Sequence, residues 1–161
     1  DCNILKCSCC NADVCSCSYH CPDKCMCFHS SDRSVNSVRC DGKGLDEVPG
    51  EIPPAATHVY LDKNNVSVVS RHSFSNMTHL QYLSMNDSNI HTIDDYAFAP
   101  LSSLKTLHLK GSYISAIYSK TFFGLNKLQQ LSLSSNRIAF IDVGSFSHLP
   151  ATYNLDLSKN L

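Results

Sequence analysis

The chain has 161 residues, of which 43% are hydrophobic and 17% charged, and its formal net charge is −1. That apolar fraction is enough for a core, which excludes wholesale disorder, and the balanced charge leaves no excess of Lys and Arg to displace counterions from a nucleic acid. No apolar run approaches the roughly 20 residues of a membrane span. No signal peptide opens the chain, because Asp1 and Cys2 lead straight into a cysteine cluster; a secreted or membrane-anchored protein is therefore expected to be represented here by a processed or excised piece.

All ten cysteines fall between Cys2 and Cys40. Cys2, Cys7, Cys9, Cys10, Cys15 and Cys17 crowd the first 20 residues, and Cys21, Cys25, Cys27 and Cys40 follow. An even count in so short a stretch reads as a disulfide framework made in an oxidising compartment, which predicts five disulfides and no bound metal. The rival is a thiolate metal cluster, for which Cys7-x-Cys9-Cys10 and Cys15-x-Cys17 are tightly spaced. Structural zinc prefers pairs about two to four apart, often with His, and only His20 and His29 are near.

From Ala56 onward the sequence repeats every 24 residues. One unit reads Leu104-x-x-Leu107-x-Leu109-x-x-Ser112-x-Ile114, and the next reads Leu128-x-x-Leu131-x-Leu133-x-x-Asn136-x-Ile138. Stepping back gives Leu80, Leu83, Met85, Ser88 and Ile90, then Ala56, Val59, Leu61, Asn64 and Val66; stepping forward gives Thr152, Leu155, Leu157 and Asn160. Val69, Ile93, Ile117 and Ile141 keep the period, as do Phe74, Phe98, Phe122 and Phe146. This is a leucine-rich repeat array, and it predicts an α/β solenoid: a right-handed horseshoe of about five units with a parallel concave sheet. The Asn column should turn inward and satisfy backbone groups of neighbouring coils. Ser88 and Ser112 stand in that column with one donor instead of two, so those rungs should be weaker. The Phe column should stack as a convex spine.

The segment Cys21-x-x-x-Cys25-x-Cys27 through Cys40, followed by Gly44-Leu45-Asp46-Glu47-Val48-Pro49 and Ile52-Pro53-Pro54, resembles the N-terminal capping module of extracellular leucine-rich repeats. That resemblance implies the pairs Cys21–Cys27 and Cys25–Cys40; the second loop could add about 3 kcal/mol by restricting the unfolded chain. Residues 1–20, running Cys7-Ser8-Cys9-Cys10-Asn11-Ala12-Asp13-Val14-Cys15-Ser16-Cys17 into Cys21-Pro22-Asp23-Lys24-Cys25-Met26-Cys27, resemble the junction in invertebrate Toll receptors, particularly the long Tollo and eighteen-wheeler kind. There the cap closing one repeat block abuts the cap opening a second, membrane-proximal block. Thr57-His58-Val59-Tyr60-Leu61-Asp62-x-Asn64-Asn65 is similar to that block's first repeat. The expected domains are a cysteine-rich junction at 1–20, a cap at 21–54 and repeats at 55–161. In the intact receptor, further repeats and a cysteine-bearing cap are expected after Leu161, so this fragment alone is expected to fray at Ala151–Leu161, to self-associate through the edge of its fifth unit, Thr152–Leu161, or to carry a foreign C-terminal cap.

The resemblance implies an innate-immune or developmental receptor on the extracellular face of the plasma membrane, held there by segments outside this sequence. Its protein ligand would be a Spätzle-like cystine-knot protein or a cell-surface protein, with receptor homo- or heterodimers. A structural spacer that orients receptor dimers, or a secreted adhesion or matrix protein, is the alternative. No cofactor is expected, and no enzyme motif is present: there is no H-E-x-x-H, phosphate loop or G-x-S-x-G elbow.

Two sets of candidate sites remain. Asn65-Val66-Ser67, Asn76-Met77-Thr78 and Asn86-Asp87-Ser88 are glycan-acceptor sequons, or else surface polar residues. The outward concave columns read Tyr60, Ser84, His108, Ser132, Asp156; Asp62, Asn86, Lys110, Ser134, Ser158; and His58, Tyr82, Thr106, Gln130, Asn154. His58, Tyr60, Asp62, Tyr82, His108 and Lys110 are the binding candidates, against the reading of an ordinary solvated sheet face.

Overall fold

The computed structural model describes residues 21–32, 34 and 36–161. The first six cysteines, and the junction they define, lie outside the described residues. In chain order the strands are β1 (Met26–His29), β2 (Asn36–Arg39), β3 (His58–Tyr60), β4 (Val68–Val69), β5 (Tyr82–Ser84), β6 (Thr92–Ile93), β7 (Thr106–His108), β8 (Ala116–Ile117), β9 (Gln130–Ser132), β10 (Phe140–Ile141) and β11 (Asn154–Asp156). One seven-stranded sheet runs β1-β2-β3-β5-β7-β9-β11. Only β1 and β2 are antiparallel, and every later neighbour is parallel. The register advances one repeat per strand: His58, Tyr82, Thr106, Gln130 and Asn154 lie side by side. On the far side β4 pairs β6 and β8 pairs β10, two residues each. Among the described residues the convex return contains no α-helix, only turns and these short pairs. The architecture is therefore a β-solenoid of stacked leucine-rich coils.

Each strand is short because the chain turns sharply just after it. Lys63, Asp87, Gly111, Ser135 and Lys159 occupy one column, and all are left-handed, with φ of 56°, 54°, 73°, 56° and 57°. Such a conformation is uncommon outside glycine; here it recurs in every coil and swings the next residue inward. At Gly111 a Cβ would overlap the Asp87 carboxylate of the preceding coil, which would have to move aside for any other residue.

The inward residues make one continuous core. Val59, Leu61, Leu83, Met85, Leu107 and Leu109 are fully buried. Phe74, Phe98, Phe122 and Phe146 stack along the convex side with centroids 5.8, 6.3 and 6.0 Å apart and near-parallel planes. Burying each such ring is worth about 1.5–3 kcal/mol. The N-terminal end is closed by the β1–β2 hairpin, tied by Cys21–Cys27 and Cys25–Cys40 disulfides. Cys40 is itself buried and donates its backbone N–H to Tyr60 O at 2.8 Å, so the second disulfide pins the hairpin to the first coil.

The inward asparagines hold the coils together. Asn136 Nδ2 donates to Leu109 O (2.8 Å) and Leu133 O (3.0 Å), and its Oδ1 accepts from Ile114 N (3.2 Å). Asn64 spans the cap junction in the same way. Its Nδ2 donates to Cys40 O and Leu61 O at 2.9 and 2.8 Å, while its Oδ1 accepts from Lys43 N and Leu45 N. Asn160 repeats the pattern onto Leu133, Leu157 and Ile138. The two serines of this column differ. Ser88 Oγ donates to Leu61 O at 2.9 Å, whereas Ser112 Oγ is buried with no partner.

Two outcomes follow from this accounting. Asn136→Ala should lower stability by about 1–3 kcal/mol, because it orphans two buried carbonyls and an N–H; Ser112→Asn should raise stability by about 1 kcal/mol. The shift of the denaturant midpoint measures both. In the interior coils Leu133 N and Ser135 N donate to Asp156 O and Ser158 O, but Leu157 N and Lys159 N have no such acceptor among the described residues. Leu155 is 40% exposed where Leu131 is 1%. Hydrogen exchange of the dilute monomer should therefore be much faster at Leu157 and Lys159 than at Leu133 and Ser135; equal protection would contradict the edge assignment.

Candidate functional site

The parallel register brings ring-bearing residues of three coils and one cation of the cap onto a single patch of the concave sheet. His58 and Tyr60 flank the inward Val59 on β3, and Tyr82 sits beside His58 on β5. The His58 and Tyr82 rings stack at 5.7 Å, and Tyr60 leans on Tyr82 at 5.1 Å. His108, one coil on, meets Tyr82 edge-on at 5.4 Å, with its Nδ1 3.2 Å from the Tyr82 hydroxyl. On the other flank the Arg39 guanidinium lies over the Tyr60 ring, 4.1 Å from its centroid. All four rings are half-buried, so part of each still meets solvent.

A polar flank runs alongside. Asp62 accepts from Ser84 Oγ and from Asn86 N, both at 2.6 Å. Asn86 in turn accepts from Lys110 N at 2.9 Å and donates to Ser84 Oγ at 3.1 Å. The Lys110 side chain is exposed at the end of this row. Asp41 stands next to Asp62 at the cap end. Its Oδ2 is 3.7 Å from Arg39, and its Oδ1 is buried without a partner. Burial, reinforced by the Asp62 charge, pushes the Asp41 carboxyl up despite Arg39. Desolvation likewise raises the Tyr82 hydroxyl and lowers both His58 and His108, with Asp62 opposing the shift at His108.

His58, Tyr60, Tyr82 and His108 thus form one cluster, and Asp62 and Lys110 border it. Ser84 and Ser134, read from the sequence as outward concave residues, are instead 2% and 4% exposed. Ser84 is a short side chain between Tyr60 and His108 of its column, and each hydroxyl is engaged sideways, by Asp62 for Ser84 and towards Ser132 for Ser134. Arg39 was not among the sequence candidates. The step from β2 to β3 is 21 residues, with Arg39 opposite Tyr60 and Val38 opposite Val59, so the 24-residue ruler misses it. The match of Val38 and Cys40 to Val59 and Leu61 was the available signal. Among the described residues no three His, Cys, Asp or Glu side chains converge to hold a metal.

Comparison with known proteins gives the following. The family described as Leucine rich repeat matches residues 54–114 and 102–161. Toll-like receptor 7 of Drosophila melanogaster is 39% identical over 77 residues, which is 48% of this chain and 5% of that protein. Keratocan of Gallus gallus is 36% identical over 69 residues, 43% of this chain and 18% of keratocan. The chain therefore spans a small part of these relatives. Among solved structures, the Drosophila Toll–Spatzle complex superposes with a TM-score of 0.69 at 23% identity, over 73% of this chain and 16% of that one. Human trophoblast glycoprotein superposes at 0.65 with 20% identity, over 89% and 64%. At these identities the superpositions speak for the fold.

The two shifted imidazoles set a pH dependence. A base whose folded value lies below its ordinary 6.5 stabilises the fold above that value, and the stability is lost as pH falls through the folded values. The denaturant midpoint should therefore drop as pH falls below about 6.5, and a His58→Gln/His108→Gln double variant should show a smaller drop. An undiminished drop in that variant would remove these histidines as the cause.

Proposed function

The chain belongs to the leucine-rich repeat family, and from that membership we propose that it is an extracellular protein-recognition module of a Toll-like receptor, with the concave cluster around Tyr82 as its ligand-contact surface. The observation that carries this reading is the cluster itself. Tyr and Arg are enriched where binding energy concentrates, and rings with few rotatable bonds lose little entropy on docking. Here Tyr60, Tyr82, His58 and His108 are already held in mutual contact, with Arg39 fixed at one end. Asp62 and Lys110 border the rings with charge that can set orientation.

The likeness to Toll-like receptor 7 supports the receptor assignment; membership of the long Toll subfamily is part of the same proposal. A Toll of similar fold occurs in complex with Spatzle, which supports a Spätzle-like cystine-knot protein as the partner class. The division into a junction at 1–20, a cap at 21–54 and repeats at 55–161, placement outside the plasma membrane and receptor dimerisation belong to the same proposal. A spacer role is the second reading. It is favoured by the C-terminal part of the concave face, where Ser132, Ser134 and Ser158 offer little to grip.

Binding to the immobilised chain separates the two. A Spätzle-like protein should bind the wild type, and Tyr82→Ala should weaken Kd about tenfold or more with an unchanged circular dichroism spectrum, while Tyr82→Phe retains most affinity. Binding indifferent to Tyr82 would move the contact elsewhere. No binding by a correctly folded chain would favour the spacer.

A further inference from the structure

The three sequons do not stand equal once folded. Asn76 is exposed on the convex return, in the turn that follows the spine residue Phe74, and its backbone is left-handed with φ 67°. Its side-chain amide makes no hydrogen bond among the described residues, and the hydroxyl-bearing Thr78 two residues on is also exposed. Asn86 is the opposite case. Its Oδ1 accepts from Lys110 N, its Nδ2 donates to Ser84 Oγ, and its own N–H is held by Asp62. The Ser88 hydroxyl that completes its sequon is fully buried and has Leu61 O at 2.9 Å and Asn86 O at 3.1 Å as acceptors for its one proton. Asn65 already bridges Asp46 and Asn89, and carries no part of the argument.

We propose that Asn76 is an N-glycan acceptor of this chain, and that Asn86 is a structural amide of the concave face that stays unmodified in the folded protein. The co-substrate is a lipid-diphosphate-linked oligosaccharide. A bond forms between Asn76 Nδ2 and the sugar C1 as the C1–O bond to the diphosphate breaks; the lipid diphosphate leaves, and one Nδ2 proton passes to a base of the transferase. At Asn76 the added bulk starts from an exposed side chain that makes no hydrogen bond among the described residues. At Asn86 a sugar on Nδ2 would stand over Ser84, in competition with the hydrogen bond between them, beside the Tyr82 cluster. A glycan confined to the convex return leaves that cluster open.

This inference rests on the extracellular reading for its compartment, so the test imposes the compartment and reads occupancy, independently of any ligand. The full chain, directed through the secretory pathway of a eukaryotic cell by an added leader, is collected from the medium. Its peptides are mapped after glycosidase treatment in heavy-oxygen water, which marks each formerly glycosylated Asn. The expected result is a mark at Asn76 and none at Asn86. Asn76→Gln and Thr78→Ala should each remove one glycan-sized step in gel mobility, the second while leaving Asn76 in place, and Asn86→Gln should remove none. An unmarked Asn76, or a marked Asn86 in the secreted protein, would overturn the proposal. Failure of ligand binding would leave it standing.

Discussion

A parallel sheet built from three-residue strands has a corner problem. Where each coil turns out of the sheet, backbone carbonyls and N–H groups face inward with no strand partner, and a buried unpaired group costs about 1–3 kcal/mol. The fold answers it with a pair of adjacent residues. A left-handed residue (Lys63, Asp87, Gly111, Ser135 or Lys159) makes the turn, and the residue after it points inward to collect the orphans. Asn suits the inward place because one side chain offers both donors and an acceptor: Asn136 satisfies carbonyls in two coils and an N–H in the earlier one. This contact fixes the register of coil on coil. The stacking of the Phe spine and the alignment of the concave columns follow from it.

Once register is fixed, strand spacing makes the site. Parallel neighbours lie about 4.8 Å apart, so rings at matching positions in successive coils have to touch. His58 and Tyr82 stack for that reason, and Tyr60 and His108 reach Tyr82 from the adjacent column. The same spacing gives nothing to a short side chain. Where Ser follows Ser along a column the sheet surface is smooth, and hydroxyls such as that of Ser134 sink between their neighbours. The concave face is therefore divided by composition alone into an aromatic N-terminal part and a plain C-terminal part.

Much of this was legible in the sequence because a 24-residue period is a strong signal. The inward Leu column, the Phe stack and the buried amide of Asn136 each correspond to one register position. The gathering of His58, Tyr60, Tyr82 and His108 follows from the same ruler. What it could not supply depends on local geometry. Ser88 and Ser112 read alike, yet one hydroxyl finds Leu61 O and the other finds nothing. Ser84 reads as an outward residue, yet the bend towards Asp62 buries it. The absence of an α-helix from the described convex return is also outside a pattern that marks which residues face inward but not how the chain comes back.

The cap shows where periodicity fails and chemistry takes over. Covering Val59 and Leu61 needs only an apolar hairpin face, which Val38 and Cys40 provide. The alternate positions, Arg39 at the end of β2 and Asp41 just beyond it, need not carry charge, but both do. Arg39 is shared between the Tyr60 ring and the Asp41 carboxylate, and Asp41 is pressed against Asp62 in partly desolvated surroundings. An arrangement that crowds two carboxylates and leaves Asp41 Oδ1 buried and unpaired is not the most stable way to close a solenoid. Its effect is to place a guanidinium over the first aromatic ring of the patch. The disulfide from Cys25 to Cys40 anchors the chain one residue away from Arg39, so the module that covers the first coil also borders the aromatic cluster.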